Sequence, residues 1–267
     1  MALLGQLGEE GAVLGGGTWI LRAPLRGEPL ARDYVATRGI AEMADVSYAD
    51  ATRIGALATH TEIAATESGV GALGALAEAA RRSAFPAVRH VATIAGNLAA
   101  RPFPEADLVP ALLACEAVIE LAGPTGRERL DAAEYLATRD RRPEGELIVA
   151  VSVPARAGRR AWFERLTVRH AAEYSLASVA VSLDVGADDV VTDARVAVGA
   201  VEEVARRVDA AESILRGNPL GALPGEEAGQ AAAEALEPRD GLDAPGWYRR
   251  AVLPVLLARV AARMAAA

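Results

Sequence analysis

The chain has 267 residues, of which 52% are hydrophobic and 24% charged, and its formal net charge is −8. This balance is typical of a folded globular protein and excludes a disordered chain, while the acidic excess argues against a broad nucleic-acid-binding surface. A single cysteine, Cys115, excludes an internal disulfide framework and a four-cysteine iron–sulfur site, and three separated histidines do not support a zinc site.

The N-terminal half mixes predicted strands and helices. A short strand runs into three glycines, and Thr18 after them is positioned to open a helix. Thr61 is expected to cap a short helix that has Glu62 in its first turn. Apolar residues on one face predict a helix at 71–82, which Pro86 ends. The other predicted elements of this half are strands at 12–14, 33–36, 51–56, 91–94, 117–121 and 147–153, a helix end at 7–10, and helices at 104–113 and 130–137.

The C-terminal half changes character after a predicted surface turn at residues 158–160, which is the best candidate for a domain boundary. Three long strands follow, and the middle one alternates so that it is expected to be half-buried. Strands followed by helices indicate the α+β class, with a three-stranded antiparallel sheet in this half. The predicted strands are 162–168, 175–185 and 190–201, and the predicted helices are 205–215, 226–236 and 247–264.

The sequence at neither end of the chain indicates a segment that enters a membrane. The N-terminus lacks the charged segment followed by an apolar segment that marks a secretory signal. The longest apolar stretch, residues 251–267, is interrupted by Arg259 and Arg263 and is shorter than the roughly 20 apolar residues that a spanning helix needs. We therefore expect a cytoplasmic protein without a membrane span.

The first chemical motif is the glycine loop Gly15-Gly16-Gly17-Thr18. Glycines have no Cβ and adopt positive φ readily, so their backbone N–H groups can converge on an anion. A helix opened by Thr18 would add its dipole to that field. An ordinary glycine turn is the alternative, because the loop has neither the G-x-G-x-x-G spacing nor the Gly-Lys-Ser/Thr of a P-loop.

The second motif lies at residues 89–98, where a predicted strand runs into a small-residue turn at Gly96-Asn97. The Asn97 side chain can both donate and accept hydrogen bonds. Asp107 follows at the head of an apolar helix. Its carboxylate there can bond sugar hydroxyls or serve the first turn of the helix.

Taken together, the two motifs resemble the FAD-binding medium subunit of the molybdenum hydroxylases, the xanthine dehydrogenase and carbon monoxide dehydrogenase flavoprotein family. The motifs of that family are A-G-G-T/H-x-L, T-I/L-G-G-N-L/I and S/A-D-L, in this order and at this spacing. Residues 54–63 resemble its I-G-A-x-T-T-H-x-E-I segment. The likeness continues through residues 163–166 and 174–177 to 247–251, so it covers nearly the whole chain.

The resemblance implies a fold as well as a cofactor. It implies an α+β protein whose two-part, PCMH/VAO-like FAD-binding domain occupies residues 1–157, with subdomains at about 1–50 and 51–157. A C-terminal domain like that of the CO dehydrogenase flavoprotein, with an antiparallel three-stranded sheet and helices, then occupies residues 158–267. FAD is the implied cofactor of this chain.

The resemblance also implies which residues hold FAD. Two loops would grip the diphosphate, a third segment would contact the sugar-like chain, and apolar and aromatic residues would lie beside the isoalloxazine ring. A core or surface role is the alternative for the aromatic residue, Tyr174. The implied residues are Leu14, Gly15, Gly16, Gly17, Thr18, Trp19 and Ile20 in the first loop, Ala92, Thr93, Gly96 and Asn97 in the second, Ala106 and Asp107 at the sugar-like chain, and Leu147, Ile148 and Tyr174 at the ring.

The chain departs from the family pattern at several positions. Gly15 replaces the usual alanine, which is expected to be harmless. Ala95 replaces the first glycine of the G-G-N turn, which requires a negative φ at this residue. Asp107 lies one position later than in the common spacing, which predicts a bulge in the loop at 101–104. Met1 lies close to the first motif, whereas family members carry a further strand and helix before it, so we expect either that the chain begins short or that its start site is misassigned.

The function implied by the resemblance is that of an oxidoreductase component in a heteromeric molybdenum hydroxylase. Electrons from the molybdenum cofactor of a molybdopterin-binding large subunit would pass through the clusters of a 2Fe–2S small subunit to FAD on this chain, and then to a terminal acceptor. No catalytic acid–base residue and no metal ligand are expected here, and His60 is expected to have a structural or loop-positioning role. The alternatives are a stand-alone, non-covalent FAD oxidoreductase and a scaffold or binding protein without flavin.

Overall fold

The computed structural model describes residues 2–48, 50–67, 69–143, 145–169 and 173–267, so Met1 and His170 lie outside the described residues. The strands are β1 (Gly11–Leu14), β2 (Asp33–Ala36), β3 (Val46–Tyr48), β4 (Ala51–Gly55), β5 (Val118–Gly123), β6 (Gly126–Asp131), β7 (Leu147–Pro154), β8 (Arg159–Leu166), β9 (Ala177–Val185), β10 (Val191–Gly199) and β11 (Arg206–Arg207). The helices are α1 (Ala2–Leu7), α2 (His60–Ala64), α3 (Gly74–Arg82), α4 (Pro86–Arg89), α5 (Ile94–Ala99), α6 (Leu108–Ala114), α7 (Ala132–Thr138), α8 (Asp209–Leu215), α9 (Gly225–Ala235), α10 (Gly246–Ala251) and α11 (Leu253–Ala265). Shorter 3₁₀ helices occupy Gly8–Glu10, Ile20–Arg26, Ala41–Met43, Arg139–Arg141 and Leu220–Ala222.

Two sheets form the N-terminal half. Strands β1 and β2 pair in parallel, and Leu14 at the end of β1 lies opposite Ala36. A five-stranded antiparallel sheet has the order β3-β4-β7-β5-β6. Its central strand, β7, is buried over residues 147–153, because strands flank it on both sides and helices cover the sheet. The glycine loop follows β1 directly.

The C-terminal sheet confirms the predicted α+β architecture and the antiparallel arrangement of three long strands. Its order is β11-β10-β9-β8, in which the two-residue strand β11 adds a short fourth member at the edge. The expectation that the middle strand is half-buried is wrong, because β9 is buried on both faces over residues 177–183.

The two faces of this sheet have different packing partners. Val179, Val181 and Leu183 pack in a core with the C-terminal helices. Ala161 and Phe163 belong instead to the core of the N-terminal half, which α3 and α6 provide. Alternate residues of β9 therefore face two different cores instead of a core and solvent. The smaller residues of β9 lie on the face toward the N-terminal half.

The predicted surface turn at 158–160 is a turn only in part. Gly158 has a φ of +72°, as a tight turn requires, but the Arg159 side chain is completely buried. Arg159 Nη2 lies 2.6 Å from Glu116, and its Nε lies 2.8 Å from Asp184 on β9. A buried guanidinium needs such carboxylate partners. Ion pairs thus join the turn to both halves of the chain. The division into domains at residue 157 stays a prediction.

Two predictions of helix ends differ from the structure. Thr59, not Thr61, caps α2, since the Thr59 Oγ1 accepts from the Glu62 N–H and the Glu62 carboxylate accepts from the Thr59 N–H. Pro86 does not only end α3; it also begins α4, where its missing N–H costs nothing.

Helices α9 and α11 pack at close range through glycine. A Cβ on Gly229, inside α9, would lie 2.3 Å from the Pro254 Cα and 2.8 Å from the Leu253 carbonyl oxygen. Glycine inside a helix is unfavourable by itself, so the packing against α11 explains its presence. The longest helix, α11, has 13 residues, and no helix in the described part of the chain is long and apolar enough to cross a membrane.

We expect Gly229→Ala to lower the free energy of unfolding by about 1–3 kcal/mol, because the added methyl group overpacks the contact between α9 and α11. Gly5→Ala is the matched control, since Gly5 lies in α1 and a Cβ there meets no atom within 4 Å. Alanine favours the helix at that site, so no loss is expected. Equal stability of the two variants in urea unfolding would contradict this account of the helix pair.

Candidate functional site

The glycine loop, residues 14–20, packs directly against the segment at 91–93. A Cβ on Gly16 would lie 1.7 Å from the Val91 carbonyl oxygen, so only glycine fits there. Gly17 has a φ of +73°, which glycine adopts without strain. A Cβ on Gly15 would meet the Thr93 Oγ1 at 3.3 Å, a tight contact that small shifts can relieve. Gly15 is therefore compatible with the alanine usual in the family, whereas Gly16 and Gly17 are required by geometry.

The backbone of the glycine loop presents a row of unused donors. Among the hydrogen bonds of the described residues, none is donated by the N–H groups of Gly15, Gly16, Gly17 or Thr18. Successive free N–H groups in a turn of this kind form an anion-binding concavity. The expected helix at Thr18 is wrong, because a 3₁₀ helix begins at Ile20 and Trp19 precedes it without a side-chain cap. The attraction for an anion therefore comes from the N–H groups and not from an α-helix dipole.

The second loop differs from its prediction, since the expected strand at 91–94 and turn at Gly96-Asn97 are absent from the described structure. Thr93 forms only an isolated bridge, with Thr59, and its Oγ1 accepts from the Gly96 N–H at 3.1 Å as the cap of α5. The cap outweighs the β-propensity of the flanking residues. Ala95 lies within α5 and is not among the residues with positive φ, so its negative φ meets the expectation.

Side chains of the second loop can still donate to a ligand. The Asn97 Oδ1 accepts from the Leu108 N–H at 3.2 Å, and no hydrogen bond of the described residues uses the Asn97 Nδ2. The Thr93 hydroxyl accepts one hydrogen bond and keeps its proton to donate. The two loops thus offer different donors: backbone N–H groups from the first and side chains from the second.

A cleft of about 610 Å³ lies between the two loops, which is within the usual range for a cofactor site. It brings together most of the residues predicted from the sequence. Leu14, Ala106, Asp107 and Tyr174 do not line it. The predicted residues that line the cleft are Gly15, Gly16, Gly17, Thr18, Trp19, Ile20, Ala92, Thr93, Gly96, Asn97, Leu147 and Ile148.

A second cavity of about 800 Å³ adjoins the cleft on the side of the C-terminal half. Thr18, His60, Ala92 and Asn97 line both spaces, so the two are continuous around these residues. Tyr174 lines only the second cavity. Leu147 and Ile148 line only the cleft. The sequence predicted all three residues beside the isoalloxazine ring, but Tyr174 lies in a different space from the other two.

An aromatic cluster that the sequence did not predict connects the glycine loop with the C-terminal half. The ring of Trp19 stacks on Phe103 with 4.3 Å between centroids, and Tyr174 meets Phe103 edge-on at 5.4 Å. Arg22 Nη1 lies 3.4 Å from the Tyr174 hydroxyl. Phe103 lies in the loop before Asp107 and supplies the middle ring of the cluster.

Asp107 does not line the cleft, but it lines the second cavity, as Tyr174 does. Its side chain is buried, with no bond to the first turn of α6. Its Oδ1 accepts from the Ser175 hydroxyl at 2.6 Å, and its Oδ2 pairs with the Arg165 guanidinium. Burial raises the pKa of Asp107 to about 6, against the opposing effects of Arg165 and Ser175.

The partners of Asp107 hold the segment that carries Tyr174. Arg165 also donates to the Glu173 carbonyl oxygen, so Glu173 and Ser175 are both tied to one buried ion pair. These two residues flank Tyr174 in the chain. Asp107 therefore both lines the second cavity and, through Arg165 and Ser175, positions Tyr174 there.

Asp107→Asn is expected to lower the free energy of unfolding by about 3 kcal/mol, because it leaves the Arg165 charge buried without a carboxylate. Removing both charges in Asp107→Leu/Arg165→Met is expected to recover part of this loss. Glu10→Gln is the control, since it breaks an ion pair with Arg32 in which both side chains are more than half exposed. Asp107→Asn matching Glu10→Gln in urea unfolding would rule out the buried pair as a structural link.

The sequence profiles of two protein families match the chain. That of the FAD-binding domain in molybdopterin dehydrogenase matches residues 1–156. That of the CO dehydrogenase flavoprotein C-terminal domain matches residues 163–264.

Relatives and solved structures agree with both matches. The nicotine 6-hydroxylase medium subunit of Paenarthrobacter nicotinovorans is 30% identical over 79% of this chain and 74% of its own. The carbon monoxide dehydrogenase medium chain of Hydrogenophaga pseudoflava is 29% identical over 97% of this chain and 91% of its own. A crystal structure of the Hydrogenophaga pseudoflava enzyme superposes with a TM-score of 0.86 at 29% identity, covering 99% of this chain and 93% of that one. The quinoline 2-oxidoreductase of Pseudomonas putida 86, 23% identical with a TM-score of 0.86 over 99% of this chain and 92% of its own, shares the fold. The chain therefore belongs to the family of FAD-binding medium subunits of the molybdopterin-dependent dehydrogenases.

Proposed function

We propose that this chain binds FAD non-covalently in the cleft and the adjoining cavity, and passes electrons from iron–sulfur clusters on a partner chain to a terminal acceptor. The observation that carries the proposal is the pair of apposed loops, one with free backbone N–H groups and one with free side-chain donors. Such donors on two sides suit a diphosphate, which carries negative charge and accepts hydrogen bonds all around.

The local geometry also suits the close approach that a diphosphate requires. Gly16 lies against the Val91 carbonyl group with no room for a Cβ, so the ligand meets bare backbone on its open side. Thr93 and Asn97 keep one donor group each on the opposite loop. The chemistry of these donors therefore suits the diphosphate of FAD.

The two spaces support one orientation of FAD. The diphosphate would lie at the residues shared by both, and the isoalloxazine ring would lie in the second cavity beside Tyr174. Tyr174 is 42% exposed, whereas Leu147 and Ile148 are buried. Because electrons must enter and leave through the ring, the space nearer the surface suits it better, and Leu147 and Ile148 are reassigned to the adenine end.

Bound FAD would supply the electron-transfer chemistry, and the residues of this chain would bind and orient it. We assign no acid–base residue to the reaction. Cys115 is buried, and burial raises the pKa of its thiol to about 12, so it is not a thiolate ligand at neutral pH. With one cysteine in the chain, 2Fe–2S clusters belong to a small partner subunit, and the molybdenum cofactor to a molybdopterin-binding large subunit.

A cytoplasmic location is part of the same proposal. A single unpaired cysteine is compatible with a reducing compartment, where disulfides are rare. Secretion of the native complex to the cell exterior, detected by fractionation, would argue against it.

Gly16→Ala is expected to weaken FAD binding by at least 100-fold, because its methyl group would force the two loops apart. Gly15→Ala is the matched control and is expected to bind within about threefold of the wild type, since the same change meets only the Thr93 hydroxyl at 3.3 Å. Titration of the purified chain with FAD, followed by quenching of flavin fluorescence, measures both. Circular dichroism checks that each variant is folded. Equal affinities in the two variants would refute the assignment of the diphosphate to this loop.

The subunit role predicts that flavin reduction depends on other chains. The purified chain reconstituted with FAD is expected to show the flavin absorbance band near ~450 nm and to keep it when candidate organic substrates are added, because the substrate site lies elsewhere. Adding the large and small partner chains with a substrate is expected to bleach the band. Bleaching by substrate with this chain alone would instead establish a stand-alone oxidoreductase. Failure to take up FAD would favour a scaffold protein.

A further inference from the structure

His60 lies where the cleft and the second cavity meet. It is the first residue of α2, and its N–H donates to the Ala92 carbonyl oxygen at 2.9 Å. Its side chain is 3% exposed and lines both spaces. The Nε2 atom is buried and has no hydrogen-bond partner among the described residues. Buried polar atoms nearly always have a partner, so this one points to a partner from outside the chain.

The neighbours of the ring determine which nitrogen carries the proton. The Nδ1 atom lies 2.6 Å from the Ser83 Oγ, and that oxygen also lies 2.9 Å from the Ala80 carbonyl oxygen. A carbonyl group only accepts, so the arrangement that satisfies both contacts has the Ser83 hydroxyl donating to Ala80 and Nδ1 donating to Ser83, and we assign this tautomer. Nε2 then has a lone pair and accepts. Burial lowers the pKa of His60 to about 4, an effect that the Thr93 backbone offsets only in part, so the ring is neutral at pH 7.

An accepting nitrogen selects among the parts of FAD. The diphosphate offers only acceptor oxygens at neutral pH, so it does not satisfy a lone pair. Sugar hydroxyls adjoin the diphosphate on both sides and can donate. His60 lies at the junction with the second cavity, which the proposed function assigns to the flavin end, and the hydroxyls on that side belong to the ribityl chain.

We propose that the His60 Nε2 accepts a hydrogen bond from a ribityl hydroxyl of FAD, which makes His60 a cofactor-binding residue and not only a loop support. The proposal rests on the proposed FAD-binding function. It adds a contact that distinguishes the flavin half of the cofactor from the adenosine half.

The test compares FAD with ADP, which shares the diphosphate, ribose and adenine but has no ribityl chain. His60→Leu in the full chain is expected to weaken FAD about 10-fold, as the loss of one buried hydrogen bond does, and to leave ADP unchanged. His60→Gln is expected to restore FAD affinity to within about threefold, because its amide oxygen can accept at a similar reach. His90→Leu is the matched control, since His90 is exposed and lines neither space, and it is expected to change neither affinity.

A spectroscopic readout tests the same contact without a substitution. In nitrogen NMR of the histidine-labelled wild type, the His60 Nε2 is expected to show the signal of an unprotonated nitrogen, which shifts on adding FAD and not on adding ADP. A protonated Nε2, or equal shifts with both ligands, would overturn the proposal.

The outcomes separate this inference from the function on which it rests. If His60→Leu keeps full FAD affinity while Gly16→Ala loses it, the ribityl contact is wrong and the FAD site stands. If His60→Leu weakens FAD and ADP equally, the assignment to the flavin half is wrong. If the wild-type chain does not bind FAD, both the proposed function and the inference fall.

Discussion

The contact between Gly16 and the Val91 carbonyl group is the constraint on which the candidate site depends. Backbone meets backbone there with no space for a side chain, and this holds the glycine loop against the second loop. The second loop is anchored in turn by the chain before α2, through the bonds from His60 N–H to Ala92 and from Ile94 N–H to Ala58. The cleft is therefore framed mainly by main-chain contacts, which leaves its side chains free to meet a ligand.

The positions of the motifs could be predicted because the residue types there depend on the backbone conformation. Gly17 needs positive φ, and Ala95 is tolerated because it is helical. The regular elements near the second loop were less predictable. Apolar β-branched residues before Gly96 resemble a strand, but Thr93 caps a helix with a single side-chain bond. A local competition of this kind is decided by tertiary anchoring, which no window of the sequence contains.

The roles of Asp107 and Tyr174 could not be read from the sequence for a different reason. The partners of Asp107, Arg165 and Ser175, lie 58 and 68 residues further along the chain. Phe103 lies between Trp19 and Tyr174, although both are far from it in the chain. Both features arise where the two halves meet, so they depend on how the C-terminal sheet packs and not on any single motif.

The doubly buried C-terminal sheet has an evolutionary consequence. The C-terminal half completes the core of the N-terminal half, since Ala161 and Phe163 belong to that core. Recombination that exchanged the C-terminal half between related genes would have to preserve the small-residue face of β9 and the surface that receives it. Selection then acts on the pair as one unit, which gives a physical reason for two family segments to be inherited together in a single gene.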